Sequence, residues 1–328
     1  MSYLVAPVKD SPGIPEDSSP TAAQRGAEPI SRTTPPIGHP LSSIPPRGTA
    51  PFAGRAGVEE LAPSPERVVA VVSPKGGCGK TTIALNLALS LARLGHRVVL
   101  VDTDVNGDVL SAIDSRARAK FGFFDLVLSG GAVQQALLPT VLPNFKILPA
   151  VGAALPDPEL LSADPLRLRA LFSELAREAD ILVVDTPAGM FGVTHRIASA
   201  STHVLGVLQA EQIANRSFVR FSQALATIPA ERRPAVLGVV LNMLQAKHEA
   251  SLAVLQSASQ DFPSEWLFDT SIPRHRAFLD ASLAGVPLRH LNEKSPPAVA
   301  WLFDTLAAEI TERLQLPAVG EPPQPLLL

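Results

Sequence analysis

The sequence predicts a doubly wound α/β domain: one mainly parallel sheet with helices on both faces, preceded by a proline-rich extension. Three observations predict it. Six short runs are apolar at nearly every position rather than at alternate ones: Val68–Val72, Val98–Val101, Phe145–Leu148, Ile181–Val184, His203–Leu208 and Val236–Leu241. Strands of that kind are covered on both faces, as in parallel sheets. Between them lie stretches with helical periodicity, Thr82–Leu94, Leu166–Glu178, Ser217–Ile228 and Ala298–Leu314, which supply the covering layers. Residues 1–66, in contrast, show no sustained apolar periodicity and hold thirteen of the 32 prolines, mixed with Gly, Ser and Thr. Such a segment cannot bury enough surface to offset its ordering entropy. The expected organisation is a disordered segment over 1–66, one domain over 67–316, and a flexible proline-rich tail over 317–328.

Composition narrows the function classes. A net charge of −3 argues against a strongly basic nucleic-acid protein on bulk charge, while leaving room for a local patch. The single cysteine, Cys78, excludes an internal disulfide and a thiolate metal cage within one chain, and it fits a reducing compartment. No apolar run reaches the roughly 18 residues of a membrane span, and the N-terminus lacks a charged-then-apolar leader. The expectation is a soluble cytoplasmic chain.

The first strand runs directly into "SPKGGCGKTT", Ser73 to Thr82. Gly76, Gly77 and Gly79 permit a turn whose amide N–H groups point inward, and the helix that follows adds partial positive charge at its N-terminus. Such a loop suits a triphosphate. Its backbone from Gly76 through Cys78 to Thr82 forms the cradle, Lys80 reaches the β- and γ-phosphates, and Thr81 places its hydroxyl on Mg²⁺. The second strand ends in "VLVDTDVNGD", with Asp102 and Asp104 as candidate carboxylates. The fourth, "ILVVDTPAG", ends in Asp185, which suits a Mg²⁺ held through water. The phosphate loop and the acid-ended strand together are far more specific than either alone.

The standard loop pattern has glycine where Pro74 stands here, and it has no need of Lys75. The form present, K-G-G-x-G-K-[ST]-[ST], resembles the ParA/MinD superfamily of deviant Walker A ATPases, a branch of the P-loop NTPases, and the resemblance spans about Arg67 to Leu314. It implies ATP and Mg²⁺, and a homodimer formed on ATP binding, with Lys75 reaching the phosphates held by the partner subunit. It also implies that Asp102 contacts the metal's water, that Asp104 orients the attacking water, and that Asp185 supports the metal. In "GVVLNM" and "SIPRHR", Asn242 and Pro273 match the family's adenine contacts. Val105, Asn106 and Asp108 depart from the family's usual Pro, Gln and Asn, which puts the tuning of the switch in question.

Composition also prunes the family. One cysteine inside the loop excludes the nitrogenase-iron-protein branch, and one tyrosine, Tyr3, excludes the tyrosine-autokinase branch. After Leu316 there is no Lys or Arg and four prolines intervene, so a membrane-binding amphipathic tail is not expected. What remains resembles ParA-like proteins, which bind DNA non-specifically as ATP dimers and hydrolyse slowly until a ParB-like partner acts. Candidate DNA contacts are Arg274, Arg276, Arg289 and Lys294, diluted by Asp280 and Glu293. Such a protein would be cytoplasmic and associated with the nucleoid. The alternative is an accessory ATPase of an envelope or polysaccharide-secretion assembly, similar to the BcsQ type, whose partner is an assembly component and for which DNA is irrelevant.

Overall fold

Residues 66–113, 119–151, 165–210, 214–245, 262–292 and 294–317 are described by the computed structural model of the protein. The expected disordered segment and tail lie outside these residues, save for Glu66 and Pro317.

Each apolar run forms a strand. β1 (Val68–Val72), β2 (Val98–Asp102), β4 (Phe145–Leu148), β5 (Ile181–Asp185), β6 (His203–Gln209) and β7 (Ala235–Asn242) join a two-residue β3 (Leu138–Pro139) in one sheet. The strand order is β3-β4-β2-β5-β1-β6-β7. Every neighbouring pair is parallel except β3–β4. β3 is too short to leave a periodic signal, and its Pro139 sits on the sheet edge, where a missing N–H is tolerated. The carboxyl ends of β1, β2, β5, β6 and β7 share one rim, the place where open parallel sheets bind ligands.

The four expected helices appear as α1 (Lys80–Arg93), α5 (Pro165–Leu175), α7 (Ala214–Ala226) and α9 (Ala298–Arg313). Shorter ones escape sequence reading: α2 (Asp108–Ile113), α3 (Phe123–Ser129), α4 (Val133–Ala136), α6 (Val193–Ala200) and α8 (Arg276–Ala284). Most of these span two turns or fewer, which gives periodicity little room to show. Within one strand the side chains alternate between two cores: Val68, Ala70 and Val72 pack with α3, α5, α6 and α7, whereas Val69 and Val71 pack with α1 and α9. α1 buries eleven of its fourteen residues, so it reads as a helix enclosed nearly all round. α9 holds it in place, with the Ser90 hydroxyl donating to Asp304 Oδ1 at 2.8 Å. The helix whose N-terminus faces the rim is thereby fixed along its length. Among the described residues, no helix is long and apolar enough to cross a membrane.

Candidate functional site

At the end of β1 the chain turns through Ser73–Gly79 into α1. Gly77 and Gly79 lie in the left-handed region, φ 70° and 90°, which an L side chain resists. Gly79 has a second constraint: a Cβ there would sit 2.4 Å from Asn242 Nδ2. That amide nitrogen donates to the Cys78 carbonyl at 2.7 Å, so the end of β7 buttresses the loop. Cys78 is fully buried in the α1–α9 core, and it therefore offers the cradle its backbone and not its thiol.

No side chain caps α1, and its first turn contains no acidic residue. The leading amides of a helix need an acceptor, and an uncapped, acid-free start presents them to an incoming anion. Lys80 is buried at that start and adds a full positive charge. These features fit a phosphate chain.

Beside it stand two carboxylates on adjacent strands, for Asp102 pairs with Asp185 in the β2–β5 register, and both are fully buried. They are not equivalent. Asp102 Oδ1 accepts the Asp104 N–H at 3.1 Å and Oδ2 accepts the Val109 N–H at 3.2 Å. Burial nevertheless pushes its carboxyl up from 3.8 to about 7. Asp185 is pushed further, to about 8, by burial and by its neighbours Asp102 and Asp104; the nearby Thr81 hydroxyl and Lys80 ammonium act the other way. No described donor completes a hydrogen bond to either Asp185 oxygen. An orphaned buried carboxylate is costly, and a divalent cation satisfies it directly. Among the described residues no three His, Cys, Asp or Glu side chains form a cage. Mg²⁺ is held by one or two carboxylates together with phosphates and waters, and Asp185 and Asp102 supply the carboxylates.

The stretch after Asp104, atypical in sequence, is a turn. Asn106 donates through its backbone and Nδ2 to Asp104 Oδ1, at 3.1 and 2.8 Å, and Gly107 donates to the Asp104 carbonyl at 2.9 Å. Asn106 thus fixes one Asp104 oxygen and leaves the other, a role the sequence signals only as an Asx-turn pattern. Asp108 opens α2 and is exposed.

Three further contacts escape sequence reading. Ser73 bridges antiparallel to Gly189, which ties the loop after β5 to the phosphate loop. Lys75 is exposed, and its Nζ donates to Gln209 Oε1 at 3.3 Å at the end of neighbouring β6. His275 caps α8, its Nδ1 accepting the Ala277 N–H at 3.1 Å. A cavity of about 200 Å³ opens beside Gly79 and Thr82, lined by Asn242, Met243, Pro273, Arg274, His275, Phe278 and Leu279. The two expected base contacts, Asn242 and Pro273, thus share one cavity at the phosphate loop.

The basic residues divide. Arg274, Arg276 and Lys294 are exposed, with Arg276 Nε lying 3.5 Å from Asp280 Oδ1. Arg289 is different. Its guanidinium stacks 3.8 Å from the Trp301 ring centre and pairs with Asp304 Oδ2 at 3.1 Å, with only 13% of the side chain exposed. Of the four candidate DNA contacts, Arg289 is thus the one engaged in packing the first half of α9 against the segment before it.

A family profile described as an AAA domain matches residues 66–236. The chromosome-partitioning ATPase Soj of Thermus thermophilus is 31% identical over 253 residues, covering 76% of this chain and 97% of its own. The chromosome partitioning protein ParA of Myxococcus xanthus is 27% identical over 256 residues, 75% of this chain and 88% of its own. Among solved structures, the septum site-determining protein MinD of Pyrococcus horikoshii, complexed with Mg-ADP, superposes with a TM-score of 0.60 at 24% identity. It covers 75% of this chain and 96% of that one.

Proposed function

The chain belongs to the ParA/MinD superfamily of AAA-domain ATPases, and on that premise we propose that it is a dimerising switch ATPase of ParA type, which positions or partitions a chromosome, plasmid or other large cargo. ATP is its substrate and Mg²⁺ its metal. The observation that carries this reading is the pairing of an uncapped α1 N-terminus, with buried Lys80, and the orphaned carboxylate of Asp185. The first takes the phosphates and the second the metal.

In this reading the backbone of Gly76–Thr82 and Lys80 hold the β- and γ-phosphates, while Thr81 and Asp185 hold the metal, with Asp102 in support. Mg²⁺, when bound, neutralises charge on the phosphates as the terminal bond breaks. Asp104, steadied by Asn106, keeps its free oxygen for orienting the attacking water. Lys75 leaves Gln209 and reaches across the dimer to the partner's phosphates. Hydrolysis is slow until an activating partner completes the site, and Arg274, Arg276 and Lys294 hold the ATP dimer on non-specific DNA, hence at the nucleoid. One observation favours the second reading, an accessory ATPase of an envelope or polysaccharide-secretion assembly: the sequestration of Arg289 thins the basic face.

Light-scattering mass with and without ATP, for wild type and Lys75→Ala, with duplex DNA at two salt concentrations, tests both. An ATP-dependent dimer lost in the variant and salt-sensitive DNA binding support the positioning ATPase. A dimer indifferent to DNA supports the accessory reading. A chain monomeric in ATP overturns the switch.

A further inference from the structure

The cavity beside the phosphate loop has walls that are mostly apolar, with Met243, Pro273, Phe278 and Leu279 around it, a lining suited to a flat heteroaromatic ring. Its side-chain hydrogen-bonding groups include two whose orientation is set elsewhere. Asn242 is buried at the end of β7, and its Nδ2 is committed to the Cys78 carbonyl at 2.7 Å. Its Oδ1 is therefore the free end, and it accepts from no described residue. The next residue, Met243, holds a left-handed backbone, φ 58°, an uncommon conformation for a side-chain-bearing residue that fixes the direction in which the chain leaves the strand.

His275 is fixed in a similar way. Its Nδ1 accepts the Ala277 N–H as the cap of α8. A neutral imidazole has one donor and one acceptor nitrogen, so an accepting Nδ1 places the proton on Nε2. Beside the Thr82 hydroxyl and the Arg274 guanidinium, the lining thus includes an acceptor, Asn242 Oδ1, and a donor, His275 Nε2–H, on side chains that are each set by a backbone contact.

We propose that His275 is a specificity-determining residue for the nucleotide base, acting with Asn242 as a donor–acceptor pair that reads adenine. The proposal rests on the ATP reading above and deepens it. Adenine carries an exocyclic amine beside ring nitrogens that accept, whereas guanine places an acceptor oxygen where that amine stands. Asn242 Oδ1 takes the amine and His275 Nε2–H donates to a ring nitrogen. Guanine would set its oxygen against Asn242 Oδ1, acceptor against acceptor, and a site built on a hydrogen bond rejects a ligand that cannot return it.

The test is calorimetric titration of wild type, His275→Asn and His275→Ala with ATP, GTP and inosine triphosphate in Mg²⁺, with melting curves for each protein. Asn is a strong helix cap, so His275→Asn keeps the α8 start, while its amide donors sit on a shorter side chain, short of the position that Nε2–H occupies. The expected result is an unchanged melting temperature in His275→Asn, an ATP dissociation constant raised about five- to tenfold, and a GTP constant unmoved, so that the ATP preference narrows. ATP binding by His275→Asn as tight as wild type, or weakened only in His275→Ala, would reduce His275 to a cap and overturn the proposal. Wild type itself needs no variant: inosine triphosphate, which lacks the amine, should bind more weakly than ATP, and equal affinity overturns the pair. A wild type that binds no nucleotide overturns the ATP reading along with it, whereas one that binds ATP without base preference overturns this inference alone.

Discussion

The phosphate end of the rim and the basic face in the last third of the chain are built from opposite materials. At the rim, function rests on backbone amides, left-handed glycines and carboxylates out of reach of water. The proposed DNA contacts are instead long side chains in solvent, such as Arg274 and Lys294. Buried groups that lack partners have few structural explanations, because leaving them so is expensive. Exposed cations need none, since water satisfies them. The contrast teaches why one end points to a chemistry and the other only to a possibility among several, and Arg289 shows it at a single residue. In sequence it matches its neighbours, yet in space it packs on Trp301.

The sharpest way to break the comparison lies within the glycine loop. Gly79→Ala combines a forbidden φ with a Cβ 2.4 Å from Asn242 Nδ2, and it should weaken ATP binding by roughly 100-fold or more. Gly77→Ala meets open space and costs only the left-handed conformation, about 1–2 kcal/mol, or roughly tenfold. Equal losses in the two variants, read by titration, would show that the Asn242 buttress is unimportant.

Asp185→Asn removes a buried carboxylate that completes no hydrogen bond and that burial and its neighbours Asp102 and Asp104 disfavour. The metal-free protein should melt roughly 5 °C higher at pH 8, while Mg²⁺-dependent hydrolysis disappears. A variant melting below wild type under those conditions would mean that Asp185 is satisfied in the metal-free chain.

Acidity sharpens the same point. Asp102 and Asp185 have carboxyls raised in the folded chain from 3.8 to about 7 and about 8, chiefly by burial. The folded state therefore holds protons that the unfolded state has released, and stability declines as pH rises from about 4 through 8. Metal-free melting temperature should fall over that window, and Mg·ATP should stabilise more at pH 8 than at pH 6. A flat profile without metal would remove the two carboxylates from this account.

The smallest effect belongs to the basic face. If it holds DNA, Arg274→Ala and Lys294→Ala should each lower the slope of log K against log salt by about 0.9. Arg289→Ala should leave the slope alone and cost about 1–2 kcal/mol of stability through its lost ring and carboxylate contacts. A slope change from Arg289→Ala would return that residue to the interface.

The strands were legible because parallel-sheet burial writes itself as unbroken apolar runs, and β1, β4, β5 and β6 begin where those runs begin. The phosphate loop was legible because glycine spacing and Lys80 have few other uses. Helices such as α2, α4 and α6 were not, since one or two turns carry too little periodicity. The roles of Gln209, Asn106 and His275 were hidden for a different reason: each matters through long- or short-range hydrogen bonding, to Lys75, Asp104 or Ala277, and composition records no such pairing.

The unpartnered oxygens of Asp185 also bear on the lifetime of the chain. A group that costs stability when alone and gains it when liganded makes the folded fraction follow ligand concentration, by RT ln(1 + [L]/Kd), about 2.7 kcal/mol at a hundredfold excess over Kd. Copies starved of nucleotide and metal would open more often and meet proteases sooner than charged ones. The abundance of the protein would then track the supply of its own fuel.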